Sequence, residues 1–227
     1  MCQALLEEQY MKKKNSWDNY FLLIVGLCIL ACGVAFSIKG ALGTSPISSL
    51  PYVLSLMIPK LTVGNLTIMM HCVMILLQIL LLRKNFQWLQ LLQLPVAVLF
   101  GYLTDFWVWA IDGIAVTHYF GQWLACGLGI ILVGIGVCLE VKAGVVVLAG
   151  EGLILALCQV LHVDFPKMKI INDVTLVSIA AILSVVFLGG LKGVREGTVA
   201  AAIFVGIVAK YSRKILDNFL EKKRSEK

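Results

Sequence analysis

Along this chain, long stretches almost free of charge alternate with short polar interruptions. Phe21 to Ile38, Leu66 to Leu82, Leu89 to Ile111, Trp123 to Leu139, Val174 to Leu191 and Thr198 to Ala209 are continuous apolar runs. At about 1.5 Å of rise per residue, a helix of about 20 residues crosses a hydrocarbon core of about 30 Å. Barrel strands would show alternating segments of about 10 residues instead. The pattern predicts an all-α, polytopic transmembrane helix bundle with about six spans.

Two further segments break the regularity. Pro46 to Ile58 carries Ser48, Ser49, Pro51 and Ser55; as a helix it covers only about 20 Å and is not expected to cross. Gly144 to Leu161 is long enough to cross but is interrupted at Gly150-Glu151-Gly152. Both are read as short broken or re-entrant segments; eight spans is the alternative if both cross.

Composition narrows the class. Sixty per cent of the 227 residues are hydrophobic and 14% charged, against about 45–50% and about 25% in soluble domains. A cytosolic enzyme, a disordered chain and a nucleic-acid-binding domain are excluded. The net charge of +6 does not point to a polyanion, because the basic residues cluster at helix ends. Lys12, Lys13 and Lys14 precede the first run; Lys210, Arg213, Lys214, Lys222, Lys223, Arg224 and Lys227 follow the last. Cytoplasmic flanks are enriched in this way. The first run is too long for a signal peptide and no A-x-A-like cleavage site follows, so it is read as a retained helix entering from the cytoplasm. Of the seven cysteines none forms a C-x-x-C pair; they are read as small packing residues.

The chain also repeats itself. Gly33-Val-Ala-Phe-Ser37-Ile-Lys39-Gly40 aligns with Gly136-Val-Cys-Leu-Glu140-Val-Lys142-Ala143 at an offset of 103, which also pairs Gly26 with Gly129. Val63 to Ile68 aligns with Ile171 to Leu176 at an offset of 108. The expected organisation is a single membrane domain, 1–227. It comprises a cytoplasmic flank at 1–19, a first repeat at 20–120, a second at 121–212 and a basic tail at 213–227. The Lys and Arg distribution favours six spans with inverted halves and both termini cytoplasmic over eight with parallel halves.

The stretch GVAFSIKGALGTSPISSLPYVLS from Gly33, with Lys39, the Gly43-Thr44-Ser45-Pro46 turn and the late Gly193 to Thr198 turn, resembles the YczE/YitT-like group of bacterial multi-pass membrane proteins. The likeness runs from about Leu22 to Val208. It implies a fold and a membrane location and transfers no activity. YitT-type members carry a soluble carboxy-terminal domain, and here the chain ends soon after the last span, which favours the YczE-like branch.

The candidate substrate-binding residues are Lys39, Gly43, Thr44, Ser45, Glu140, Lys142, Glu151, Arg195, Glu196 and Thr198. Thr44 or Ser45 can cap a helix that Pro46 begins, and a helix start at membrane depth is an anion site; Lys39 upstream adds a cation. A glutamate between two glycines in an apolar run is costly to leave in lipid and marks an ion or proton site. Glu140 and Lys142 end the fourth run. Lys142 either reaches Glu151 across the bend or snorkels to the headgroups, as Lys39 does in the plainer reading. Asp105 is expected toward the bundle interior and Asp112 at the surface. His71 is read as a hydrogen-bonded packing residue. Arg195 and Glu196 are expected to form a local salt bridge before a helix start at Gly197-Thr198.

No nucleotide-binding loop, H-E-x-x-H motif or catalytic serine signature is present in the sequence, so no enzyme, cofactor or metal is expected. The expected partners are the bilayer, a small-molecule solute and a second copy of the chain, with no nucleic acid. The leading expectation is a secondary transporter or permease of the cell membrane for an anionic or zwitterionic small molecule. The alternatives are a membrane adaptor or assembly protein and the substrate-capturing subunit of an ATPase-driven importer.

Overall fold

The computed structural model describes residues 17–225, with side chains as far as residue 218. Cys2, Lys12, Lys13, Lys14 and Lys227 lie outside the described residues, as do the side chains of Lys222, Lys223 and Arg224. Among the described residues the regular structure is helical: α1 (Trp17–Gly40), α2 (Pro46–Met57), α3 (Val63–Leu82), α4 (Gln93–Ala110), α5 (Tyr119–Ala143), α6 (Ala149–Leu161), α7 (Phe165–Leu188) and α8 (Glu196–Ser225). In lipid no water satisfies the backbone, so each crossing segment must close its hydrogen bonds internally, and a helix does so. α1, α3, α4, α5 and α7 are long and apolar enough to cross a membrane. Their outward faces are apolar too: Leu76, Leu80, Ile182, Val186 and Phe187 are all exposed. This is an integral membrane protein.

Glycines set the central contact. Gly26 faces Leu139 and Glu140, Gly33 faces Val133, and Gly40 faces Gln122, so α1 and α5 run antiparallel. A Cβ on Gly33 would lie 2.7 Å from the Val133 nitrogen, and one on Gly136 would lie 2.6 Å from the Leu30 Cβ. Backbones this close require small residues in the seam, the packing that membrane helices use where lipid removes the hydrophobic driving force. α4 lies beside α1 with their carboxy-terminal ends together, and α8 lies parallel to α5. α2 packs on α7, and α6 on α3.

Three boundaries differ from expectation. The sixth expected span, Thr198 to Ala209, forms the first part of a 30-residue helix, and the expected basic tail continues that helix to Ser225. The span expected from Val174 begins at Phe165, where Pro166 occupies the first turn. The interruption expected at Gly150-Glu151-Gly152 lies just upstream, at residues 144–148. α5 ends on Gly144, whose φ of 61° is the left-handed conformation that glycine adopts without strain, and α6 begins at Ala149. Gly150 and Gly152 have no positive φ; they lie in the first turn of α6.

Asp105 joins two helices. Its carboxylate accepts from the Thr62 hydroxyl at 2.6 Å and from the Gly64 N–H at 2.7 Å, tying α4 to the amino terminus of α3.

Candidate functional site

The two short helices place the site. α2 has 12 residues and α6 has 13, about 18 and 20 Å of helix. α2 ends next to the start of α3, at the end of the bundle where α1 finishes; α6 ends next to the start of α7, at the opposite end. Their amino termini therefore point inward from opposite directions. They meet there: a Cβ on Gly150 would collide with the Ile47 side chain, and these two positions are 103 residues apart. The residues preceding the two helices, Ser45 (φ −58°, ψ 152°) and Leu148 (φ −58°, ψ 151°), share one backbone conformation at that same offset.

A cavity of about 280 Å³ lies at this meeting point. Ser45 and Leu148 line it, with Pro46, Ile47 and Ser48 from α2, Glu151 from α6, Glu140 from α5, His71 from α3, Lys169 and Asp173 from α7, and an apolar wall from Ala201 to Ala209 of α8. No side chain caps either short helix, so the positive ends of their dipoles meet the chamber without a side-chain acceptor; at α2 Pro46 has no N–H and the Ser48 and Ser49 N–H groups bond back to the Ser45 carbonyl.

Each polar group is held by its neighbours. Glu140 is only 1% exposed, and its carboxylate accepts the Leu148 N–H at 2.7 Å. The end of α5 thus fixes the start of α6. The Ser45 hydroxyl donates to that of Ser48 at 3.1 Å, and Ser49 donates back to the Pro46 carbonyl at 2.7 Å. Lys169 and Asp173, one turn apart, form an ion pair at 2.9 Å. His71 is 1% exposed and stacks on Phe100, 6.0 Å between centroids, yet its Nδ1 has no hydrogen-bond partner. The hydrogen-bonded packing role expected for His71 is absent at that nitrogen. Beneath the chamber, Gln78 donates to the Gln93 side chain at 3.1 Å and to the Ala149 carbonyl at 3.0 Å.

The structure brings Ser45, Glu140 and Glu151 together and distributes the other candidates elsewhere. Lys39 does not line the chamber. Its ammonium donates to the Asp112 carbonyl at 2.6 Å and pairs with the Asp112 carboxylate at 3.4 Å, where α1 and α4 end together. Lys142 pairs with Asp217 rather than Glu151. Asp217 lies beyond the apolar part of α8, and the hydrogen bond from Lys142 holds its carboxyl below its ordinary range.

Gly43, Thr44, Arg195, Glu196 and Thr198 build a joint between two loops. The Thr44 N–H donates to the Gly193 carbonyl at 3.3 Å, and the Gly197 N–H to Leu42 at 2.8 Å. A side chain on Gly43, φ 99°, would meet the Thr198 hydroxyl. Arg195 donates to the Ala41 carbonyl at 3.3 Å and pairs with Glu196 at 3.1 Å, the expected local bridge. Thr44 is buried, its hydroxyl without a hydrogen-bond partner, and Ser45 accepts no capping bond. Neither residue therefore caps α2 as expected.

Sequence reasoning did not select Ser48, Lys169 or Asp173, and weighed His71 mainly as packing. Ser48 carried a signal, since the 103-residue offset aligns it with Glu151. The others reach the chamber only through the packing of α3 and α7 around it.

Residues 17–214 match the model of a family of unknown function, DUF6198, and the chain belongs to that family. It is 27% identical over 200 residues to the uncharacterized protein YyaS of Bacillus subtilis (strain 168), covering 85% of this chain and 95% of the relative. It is 30% identical over 197 residues to the uncharacterized membrane protein YczE of the same organism, covering 86% of this chain and 84% of the relative. No solved structure matches the chain.

Proposed function

We propose that this member of a family of unknown function is a secondary transporter of the cell membrane, carrying a small anionic or zwitterionic molecule. The observation that carries this reading is the head-to-head meeting of two short helices, entering from opposite ends of the bundle, at a chamber holding Glu140, Glu151 and His71. Many transporters bind substrate where discontinuous helices from two inverted halves present their amino termini near the bilayer midplane. Ionisable groups inside a membrane bundle are costly to hold there and mark substrate, ion or proton pathways by default.

The duplicated-half reading draws support from the same geometry. α1 and α5 pair antiparallel, the relation expected of equivalent helices in inverted halves. Lys39 with Asp112 and Lys142 with Asp217 then form equivalent ion pairs at opposite ends of the bundle. Rocking of one half against the other along the glycine seam would open the chamber to each side in turn. Glu151, which shares the chamber with Glu140, His71, Lys169 and Asp173, is the group assigned to proton coupling.

Purified protein in proteoliposomes, given an inward proton gradient and a panel of labelled amino acids, betaines and carboxylates, tests the reading. The expected result is gradient-driven uptake of at least one solute, which Glu151→Gln reduces to gradient-independent exchange. Uptake with unchanged dependence on the gradient in that variant removes Glu151 from coupling. No accumulation of any solute above protein-free vesicles overturns the transporter reading.

A further inference from the structure

The two helix ends that meet in the chamber are equivalent in backbone and opposite in chemistry. The end of α2 offers Ser45 and Ser48 and has no acidic residue in its first turn. At the end of α6 the positions 103 residues on are Leu148 and Glu151, so Ser48 is replaced by a carboxylate, and Glu140 stands where α1 has Ser37. One pole is thus a helix dipole with hydroxyl donors and no counter-charge; the other is the same dipole overlaid by two carboxylates.

The remaining ionisable groups do not cancel this difference. Lys169 is engaged by Asp173 at 2.9 Å. Lys39, Lys142 and Arg195, the other cations close to the chain breaks, are engaged by Asp112, Asp217 and Glu196 away from the cavity. His71 contributes a buried nitrogen with no protein partner, which at such depth points to a ligand or an ordered water as its complement. A simple anion would face two carboxylates. A simple cation would face the bare α2 terminus.

Resting on the transporter reading above, we propose that the chamber binds a zwitterion of amino-acid size, its ammonium at Glu140 and Glu151 and its carboxylate at the first turn of α2, on the Ser48 hydroxyl that Ser45 orients. Ser48 accepts from Ser45 and so keeps its own proton to give to a carboxylate. The cavity of about 280 Å³ is worth about nine waters at roughly 30 Å³ each, the scale of a solute of about ten heavy atoms. Its apolar wall of α8, from Ala201 to Ala209, suits a hydrocarbon side chain.

The test is binding to the purified full-length protein in detergent, measured by thermal shift and calorimetry with matched triads. Each triad is a zwitterion, its methyl ester and its N-acetyl derivative: L-leucine, L-leucine methyl ester and N-acetyl-L-leucine, then the corresponding alanine and methionine sets. The expected result is at least one zwitterion bound tenfold or more tightly than both of its singly charged relatives. Ser48→Ala should weaken the zwitterion and the N-acetyl compound but leave the ester unchanged; Glu151→Gln should weaken the zwitterion and the ester but leave the N-acetyl compound unchanged. Ester or N-acetyl binding equal to the zwitterion, or no binding across the triads, overturns the proposal. If Glu151→Gln fails to give monodisperse protein, the Ser48→Ala pattern decides.

Flux measurements separate this proposal from the reading beneath it. Selective zwitterion binding with no uptake in proteoliposomes sinks the transporter and keeps the site. Gradient-driven uptake restricted to singly charged solutes keeps the transporter and sinks the site.

Discussion

Glu140 shows how one side chain can serve both shape and chemistry. It sits within the last turns of α5, 1% exposed, and its carboxylate receives the Leu148 N–H at 2.7 Å. Replacing it by alanine removes that acceptor and leaves a backbone N–H at the start of α6 without its partner, which costs about 1–3 kcal/mol in a buried setting. Glu140→Gln retains an oxygen acceptor in nearly the same shape. We therefore expect Glu140→Ala to lower the unfolding temperature in detergent clearly and Glu140→Gln to stay close to the parent. Equal losses in the two variants would show that the charge, and not the acceptor, holds α6 in place. That Glu140 and Glu151 turn inward to the chamber was legible in the sequence, because a carboxylate in an apolar run needs a reason. That of His71 was not. Its unpartnered nitrogen acquires meaning only when α3 is seen to flank the chamber.

At the scale of elements, the short helices matter more than the spans. The sequence located both segments but misplaced the break in the second, reading Gly150 and Gly152 as a backbone interruption. They are small for another reason. Gly150 makes room for Ile47, and Gly152 for the Gln93 and Gln78 amides, 2.7 and 2.9 Å from where its Cβ would stand. Glycine spacing along a chain does not separate a turn from a close approach, whereas the left-handed Gly144 does mark the turn. Lys39 was misjudged for a similar reason: its partner Asp112 is 73 residues away, beyond what local spacing predicts.

The equivalent pair, Lys142 with Asp217, yields a prediction. Asp217 has a carboxyl held low in the folded protein by Lys142 and, more weakly, by Arg213, so folding favours its ionised form. Its contribution is complete above the ordinary value of 3.8 and fades as pH falls through the depressed folded value. The unfolding temperature of Asp217→Asn should therefore lie slightly below the parent at neutral pH and converge on it under acid conditions. A gap that persists unchanged below pH 3.8 would exclude the ion pair as its source. The effect is expected to be small, as exposed pairs contribute little.

For the whole molecule, the direction of the helices constrains how many times the chain crosses. α1 runs antiparallel to α5, and α5 runs parallel to α8, with Cys126 near Gly197 at one end and Lys142 on Asp217 at the other. The start of α1 and the far end of α8 therefore lie at the same end of the bundle. Among the described residues five helices meet the length and apolarity expected of a span, an odd number, which would leave the two ends on opposite sides of the membrane. α8 resolves the conflict if its first part crosses as the sixth span. Its seam with α5 at Gly134 and Val208 shields part of a stretch too short in apolar residues to stand alone in lipid, and the basic turns that follow emerge beside Asp217. On that arrangement the Lys and Arg bias predicts both termini in the cytoplasm. Reporter fusions at each terminus should agree: a fluorescent protein that folds only in the cytoplasm should be active at both ends, and a phosphatase that folds only outside should be inactive at both. Opposite signals at the two ends would mean that α8 lies along the membrane surface, and the inverted six-span arrangement would fall with it.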